Sequence, residues 1–286
     1  MTDPVVRTRL VFAYDGTDFA GWAAQPALRT VQGVMEEALA RIVRQEPAPR
    51  LTVAGRTDAG VHARAQVAHV DIGRVAWERL PGRSSDAPAA SLLRRLRGVL
   101  PSDVVLRTVS VAPDGFDARF SALERRYAYR IADASSPRDP LVRRHVAWAE
   151  GEVDLETLAT ASASLTGLRD FAPFCKAREG ATSVRDLQEF SWERALTGAD
   201  AGLLVATVRA DAFCHSMVRS LVGAVLAVGQ GKRDAGWLAE VAAGSERSQR
   251  ISVAPAHGLT LEEVVYPPDA ELAARAEQTR GRRTLD

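Results

Sequence analysis

Residues 51–72 read LTVAGRTDAGVHARAQVAHVDI, and their division into strand, loop and strand decides the fold. Leu51 to Ala54 is a short apolar strand that runs into GRTDAG, a polar loop bounded by Gly55 and Gly60. Arg64 to Ile72 follows as a strand of alternating character. Upstream, TRLVFAY (8–14) is a further strand, closed by DGTDF, a turn built on Asp15 and Gly16. Between them Val31, Val34, Met35, Ala38, Leu39, Ile42 and Val43 recur at helical spacing behind Thr30, which has the chemistry of an N-cap. The order β-α-β-β suggests a ferredoxin-like unit, whose helices cover one face of an antiparallel sheet.

Farther along, RLPGRSSDAPAA (79–90) reads as a loop before a basic helix near 90–98, and Val104 to Val111 as a strand. Arg126 to Ile131 (RYAYRI) alternates, placing Tyr127 and Tyr129 on one face. A helix at about 154–166, strands near 184–194 and 203–210, and an apolar helix at 214–229 then repeat the first half in outline, without a residue-level repeat. The expectation is two α+β halves, 1–132 and 133–266, with the boundary in the polar stretch 133–152. A polar tail, 267–286, is expected to fray.

At 286 residues, 46% hydrophobic and 26% charged, the chain is composed like a soluble globular protein of roughly two domains, which excludes disordered and collagenous classes. Cys175 and Cys214 are too few for a disulfide framework or a four-cysteine zinc site, so free buried thiols and a cytoplasmic location are expected. The strongest apolar run, Leu221 to Gly229, falls short of the roughly 20 residues that span a bilayer, and no export signal opens the chain. The 37 basic and 36 acidic residues nearly cancel. Their placement does not: residues 50–130 hold 14 Arg and no Lys against 8 acidic residues, which predicts an arginine-lined cleft for nucleic-acid phosphates.

The GRTDAG loop presents Asp58 beside Arg56. A neighbouring guanidinium favours the ionised carboxylate, which suits a nucleophile or a base better than a general acid. The same spacing also describes an Asp that bonds its own backbone in a tight turn, and on spacing alone that use is the commoner. A glycosidase needs a second carboxylate about 5–9 Å away, and Asp71, at the far end of the next strand, is a poor candidate. Neither a phosphate-binding loop nor a dinucleotide fingerprint occurs, and the five histidines fall outside zinc spacings. Arg219 is the lone charge in the apolar helix Met217 to Val228, where it must reach a partner or snorkel to water. Tyr127 and Tyr129 beside Arg125, Arg126 and Arg130 resemble a base-stacking strand, although paired tyrosines on a strand are more often core packing.

Eight segments occur in order between Leu10 and Tyr266: YDGTDFAGW (14–22), TVQ (30–32), GRTDAGVHA (55–63), QVAHVD (66–71), LP (100–101), ARFSALERRYAYRI (118–131), FCHSMVRSLVGAVLAVGQG (213–231) and APAHGLTLEEVVY (254–266). Together they resemble the tRNA pseudouridine synthase A family, and GRTDAGVH is highly specific for it. The resemblance implies a pseudouridine synthase fold: α+β, with two ferredoxin-like, RRM-like halves forming a mixed, mainly antiparallel central sheet with flanking helices. It implies isomerisation of uridine to pseudouridine at positions 38, 39 and 40 in the anticodon stem-loop of tRNA, by a homodimer with no cofactor and no metal.

By the same resemblance Asp58 is the catalytic carboxylate, Tyr127 contacts the target base, and Arg219 pairs with Asp58 from the other half. Arg56 contacts the flipped nucleotide or its backbone, and Arg64, Arg119, Arg125 and Arg126 are the expected RNA contacts. Attack on C1′, addition to C6 and proton removal from C2′ all call for an ionised carboxylate at this point. A module that kept the fold for RNA binding alone would be expected to show a damaged GRTD loop, and here the loop is intact. A synthase acting on another RNA would share the chemistry and differ in its cleft. The sequence departs from the family pattern at Phe116-Asp117-Ala118-Arg119, where His usually follows Phe, at Gly21-Trp22-Ala23-Ala24-Gln25 and at Arg169-Asp170-Phe171. The asparagine common before Leu100-Pro101 is also absent, and the 79–90 loop resembles an insertion.

Overall fold

Alternating side chains in VVRTRLVFAY fold as strand β1, Val5–Tyr14, with every even-numbered residue buried. Helix α1, Val31–Val43, begins where expected, because Thr30 Oγ1 accepts the Gly33 N–H at 3.2 Å and satisfies one of the free amides of the first turn. Its buried stripe is Val31, Met35, Ala38, Leu39, Ile42 and Val43. Strands β2 (Leu51–Val53) and β3 (His62–Gly73), helices α2 (Arg74–Glu78) and α3 (Pro88–Arg97), and strand β4 (Val104–Val111) follow. Strand β1 lies between β3 and β4, antiparallel to both, and β2 pairs with β3. Fully buried Leu10, Phe12, Trp22, Leu39, Ile72, Leu92 and Leu96 fill this core, each stabilising it by about 1.5–3 kcal/mol. The 79–87 loop is tied down by an ion pair between Arg94 and Asp86.

The next stretch contains β5 (Glu124–Ala132), β6 (Ala147–Trp148), α4 (Leu155–Ala163), β7 (Gly167–Asp170), β8 (Val184–Arg194), β9 (Leu204–Ala210), α5 (Met217–Gly229) and α6 (Ala235–Ala242). Strands β5, β9, β8 and β7 run in that order, antiparallel throughout, while β6 joins β5 in parallel. Helix α4 packs on β8 and α5. Strand β10, Leu259–Val265, leads to helix α7, Leu272–Arg280.

This computed structural model describes residues 4–177 and 182–281. The chain forms two compact units, one of residues up to Leu123 with Glu263–Gly281, the other Glu124–Glu262. Each is α+β, with a mainly antiparallel sheet and flanking helices, as expected. Strand β5 and residues 263–266 fall on the other side of this division from the halves 1–132 and 133–266 read from the sequence.

Two expectations are corrected. The polar tail does not fray over its described length: α7 buries Leu272 and Ala276, and Ser121 Oγ donates to the Leu272 carbonyl at 3.0 Å. Residues 282–286 lie outside the described residues. The cysteines are not free thiols, because Cys175 and Cys214 are disulfide-bonded with their Cα atoms 5.6 Å apart. Chain position separates them by 39 residues, but the turn after β7 runs beside the entry to α5, where Lys176 N donates to His215 O at 2.9 Å.

Candidate active-site residues

Asp58 opens a tight turn in which Val61 N donates to Asp58 O at 3.2 Å and Gly60 takes φ +78°. Most of what holds the turn comes from the segment after β1. Trp22 N donates to Thr57 O at 3.0 Å, and Gly60 N donates to Phe19 O at 3.3 Å. Gly21 makes this approach feasible: its φ is +96°, and a Cβ there would sit 3.1 Å from Thr57 O and 3.2 Å from Ala59 N. Pairing of Tyr14 with Ala63 across β1 and β3 puts the Tyr14 ring behind the loop. Its hydroxyl lies 2.8 Å from Thr57 Oγ1. Gln66 Nε2 donates to that hydroxyl at 3.2 Å and to Gly55 O at 3.0 Å. Burial pushes the Tyr14 phenol up to about 12, so it stays neutral at physiological pH. Asp58 itself is half-buried and Arg56 is exposed.

In the second unit, Arg219 stands in the first turn of α5, preceded by Ser216 with φ +63°, a conformation uncommon outside glycine. Its Nε donates to Ala254 O at 2.8 Å, and Ala254 N donates back to Arg219 O at 3.1 Å. The 252–254 segment can cross α5 this closely because position 223 is Gly; a Cβ there would collide with Ser252 O. Tyr127, 6% exposed, packs edge-on against Phe213 with ring centres 5.2 Å apart. Tyr129, on the same face, is a core residue, fully buried with its hydroxyl donating to Pro255 O at 2.8 Å.

The expected RNA contacts divide. Arg64 and Arg119 are exposed and Arg126 is half-buried, with the Arg119 guanidinium 4.9 Å from the Phe120 ring centre. Arg125 is buried, and its Nη1 donates to Asp211 O. Arg130, part of the same basic strand, is also buried, in ion pairs of 2.9 Å with both Asp200 and Glu262. Asp117, where the family pattern has His, accepts from Arg119 N at 2.8 Å and Phe120 N at 2.9 Å and so shapes that turn. His62 and His69 accept backbone N–H bonds from Gly16 and Ala118, each at 3.0 Å. Among the described residues no three His, Cys, Asp or Glu side chains gather as a metal site requires, and no helix is long and apolar enough to cross a membrane.

Sequence reading missed the roles of Gln66 and Gly21. The available signal was a polar residue at an inward position of a strand, and a glycine between two aromatic residues in a segment already singled out.

A family model described as tRNA pseudouridine synthase matches residues 161–267. Curated relatives match almost the whole chain. The tRNA pseudouridine synthase A of Leifsonia xyli subsp. xyli is 55% identical over 294 positions, covering 100% of both chains. Its counterpart from Streptomyces griseus is 53% identical over 98% of this chain and 95% of its own. That of Mycobacterium leprae is 50% identical, over 98% and 96%.

Proposed function

The chain belongs to the tRNA pseudouridine synthase A family and is an isomerase of uridine in tRNA; we propose that it acts at positions 38, 39 and 40 of the anticodon stem-loop, with Asp58 as nucleophile. The observation that carries the proposal is the construction of the Asp58 loop. The GRTDAGVH string is intact, and backbone and side-chain hydrogen bonds from the Tyr14–Trp22 segment and Gln66 hold it in one conformation.

The reaction is a rearrangement without net addition. The N1–C1′ bond breaks, the base turns, C5 bonds to C1′, and the proton lost from C5 is balanced by one gained at N1. A detached base must stay captive and shielded from water, which calls for apolar and aromatic walls. Tyr127 is assigned to the target base, Arg219 to the cationic role and Arg56 to the flipped nucleotide or its backbone. Removing the uridine from its stack costs a few kcal/mol, which phosphate contacts must offset. Arg64, Arg119 and Arg126 are exposed enough to make them, whereas Arg125 must first leave the Asp211 carbonyl. Family resemblance supports action as a homodimer, without cofactor or metal, in the cytoplasm.

The test is incubation with unmodified tRNA transcripts followed by positional mapping of pseudouridine. Product at 38, 39 or 40 is expected. Product confined to other positions or to another RNA would overturn the assignment.

A further inference from the structure

Gln66 is fully buried in β3 and uses every polar atom of its side chain. Its Oε1 accepts from Val67 N at 3.2 Å, while Nε2 bridges Gly55 O and the Tyr14 hydroxyl. Tyr14 is 4% exposed, Thr57 7%, and their oxygens are 2.8 Å apart. A chain of hydrogen bonds, buried at Tyr14 and Thr57 and half-buried at Gly55, thus runs from a sheet strand to Gly55 and Thr57, on the N-terminal side of Asp58. Buried networks of this kind are costly to leave partly unmade, so each member fixes the others.

We propose that Gln66 and Tyr14 are positioning residues for the isomerisation: by holding Gly55 O and Thr57 Oγ1 they set where the Asp58 carboxylate stands. This rests on the reading that Asp58 is the reacting carboxylate. Both residues are buried, so their loss is expected to act on the chemical step and not on tRNA capture. A displacement of about 1 Å at a reacting group can lower a rate by about 100-fold.

The test compares Tyr14→Phe, Gln66→Met, Thr57→Val, Thr57→Ser and Asp58→Asn in single-turnover pseudouridine formation, tRNA binding and thermal melting. Tyr14→Phe keeps the ring contact with Phe19 and removes only the hydroxyl. Tyr14→Phe and Thr57→Val are each expected to slow the chemical step roughly 10–100-fold with tRNA affinity held within about 2-fold. Thr57→Ser, which keeps the hydroxyl, is expected to restore the rate. The double variant Tyr14→Phe/Thr57→Val should be no slower than the slower of the two single ones, since the Tyr14–Thr57 link is already lost in each.

Rates unchanged in Tyr14→Phe and Thr57→Val, with Asp58→Asn inactive, would overturn the positioning role alone. So would equal losses in Thr57→Ser and Thr57→Val, or losses that follow melting temperature and affinity. Turnover by Asp58→Asn would instead overturn the reading beneath it. Should Tyr14→Phe fail to fold, the Thr57→Val and Thr57→Ser pair decides.

Discussion

His69 is an example of a residue whose chemistry depends on burial. Its imidazole is pushed below its ordinary 6.5, first by desolvation and then by the Arg7 cation, against the pull of Asp117 and Asp71. Its Nδ1 accepts the Ala118 N–H, and protonation there must break that bond. Because the unfolded chain takes up this proton at higher pH than the folded one, stability is complete above about pH 6.5 and is lost as pH falls through the folded value. Asp71, lowered by its bond to Arg7, adds a second loss at lower pH, below the ordinary carboxylate range. The denaturation midpoint is therefore expected to fall between pH 7 and pH 5. His69→Asn, which can still accept from Ala118, should flatten that slope, as urea titrations at several pH values would reveal. At this scale the turn around Asp58 was legible, because Gly55 and Gly60 bound it in the sequence itself. Gln66 was not, because its partners lie 52 and 11 residues away.

Elements with a strong period were legible almost to the residue. Helix α1 and strands β4 and β8 begin and end where their patterns do. The elements passed over are α2, β6, β7, α6, β10 and α7: most are short or carry too few apolar residues for a period to register, and in β10 the pair Glu262-Glu263 interrupts the alternation. Helix α7 is the clearest case: in LAARAEQTR the buried stripe is reduced to Leu272 and Ala276, one turn apart, and the other residues are exposed or half-buried. The helix is nonetheless docked, with Ala273 against Gly115 and Ser121 bonded to the Leu272 carbonyl. Deletion of residues 269–286 should lower the melting temperature by roughly 4–10 °C, from the lost burial of Leu272 and its neighbours. An unchanged melting temperature would mean that the tail contributes nothing to the fold. The Cys175–Cys214 bond was invisible for a related reason: a count of cysteines carries no information on which turns meet.

For the whole molecule, the α+β character of both units was legible from element order, while the use of its charge was only half legible. The 14 arginines of residues 50–130 are not all available to phosphates. Arg50 pairs with Glu36, Arg94 with Asp86 and Arg130 with Asp200 and Glu262, while Arg97 donates to the Leu106 and Arg107 carbonyls. These carboxylates and carbonyls offset part of the positive charge, so the sequence surplus overstates the field that tRNA meets. The affinity for tRNA should still fall with salt, with a log–log slope of about 0.7–0.9 per phosphate neutralised, but by far fewer phosphates than there are arginines. Fluorescence titrations from low to high salt measure this directly, and a flat response would contradict an arginine-lined RNA surface.

The central claim is that the Asp58 carboxylate performs the isomerisation while the rest of the protein holds the RNA. Asp58→Asn changes one oxygen to nitrogen, removes the charge and keeps the shape of the loop. Single-turnover pseudouridine formation on an unmodified tRNA transcript, measured beside tRNA binding, is the most direct test. The expected result is binding within a few-fold of the unaltered protein and no detectable pseudouridine. Appreciable pseudouridine formation by the variant would contradict the assignment.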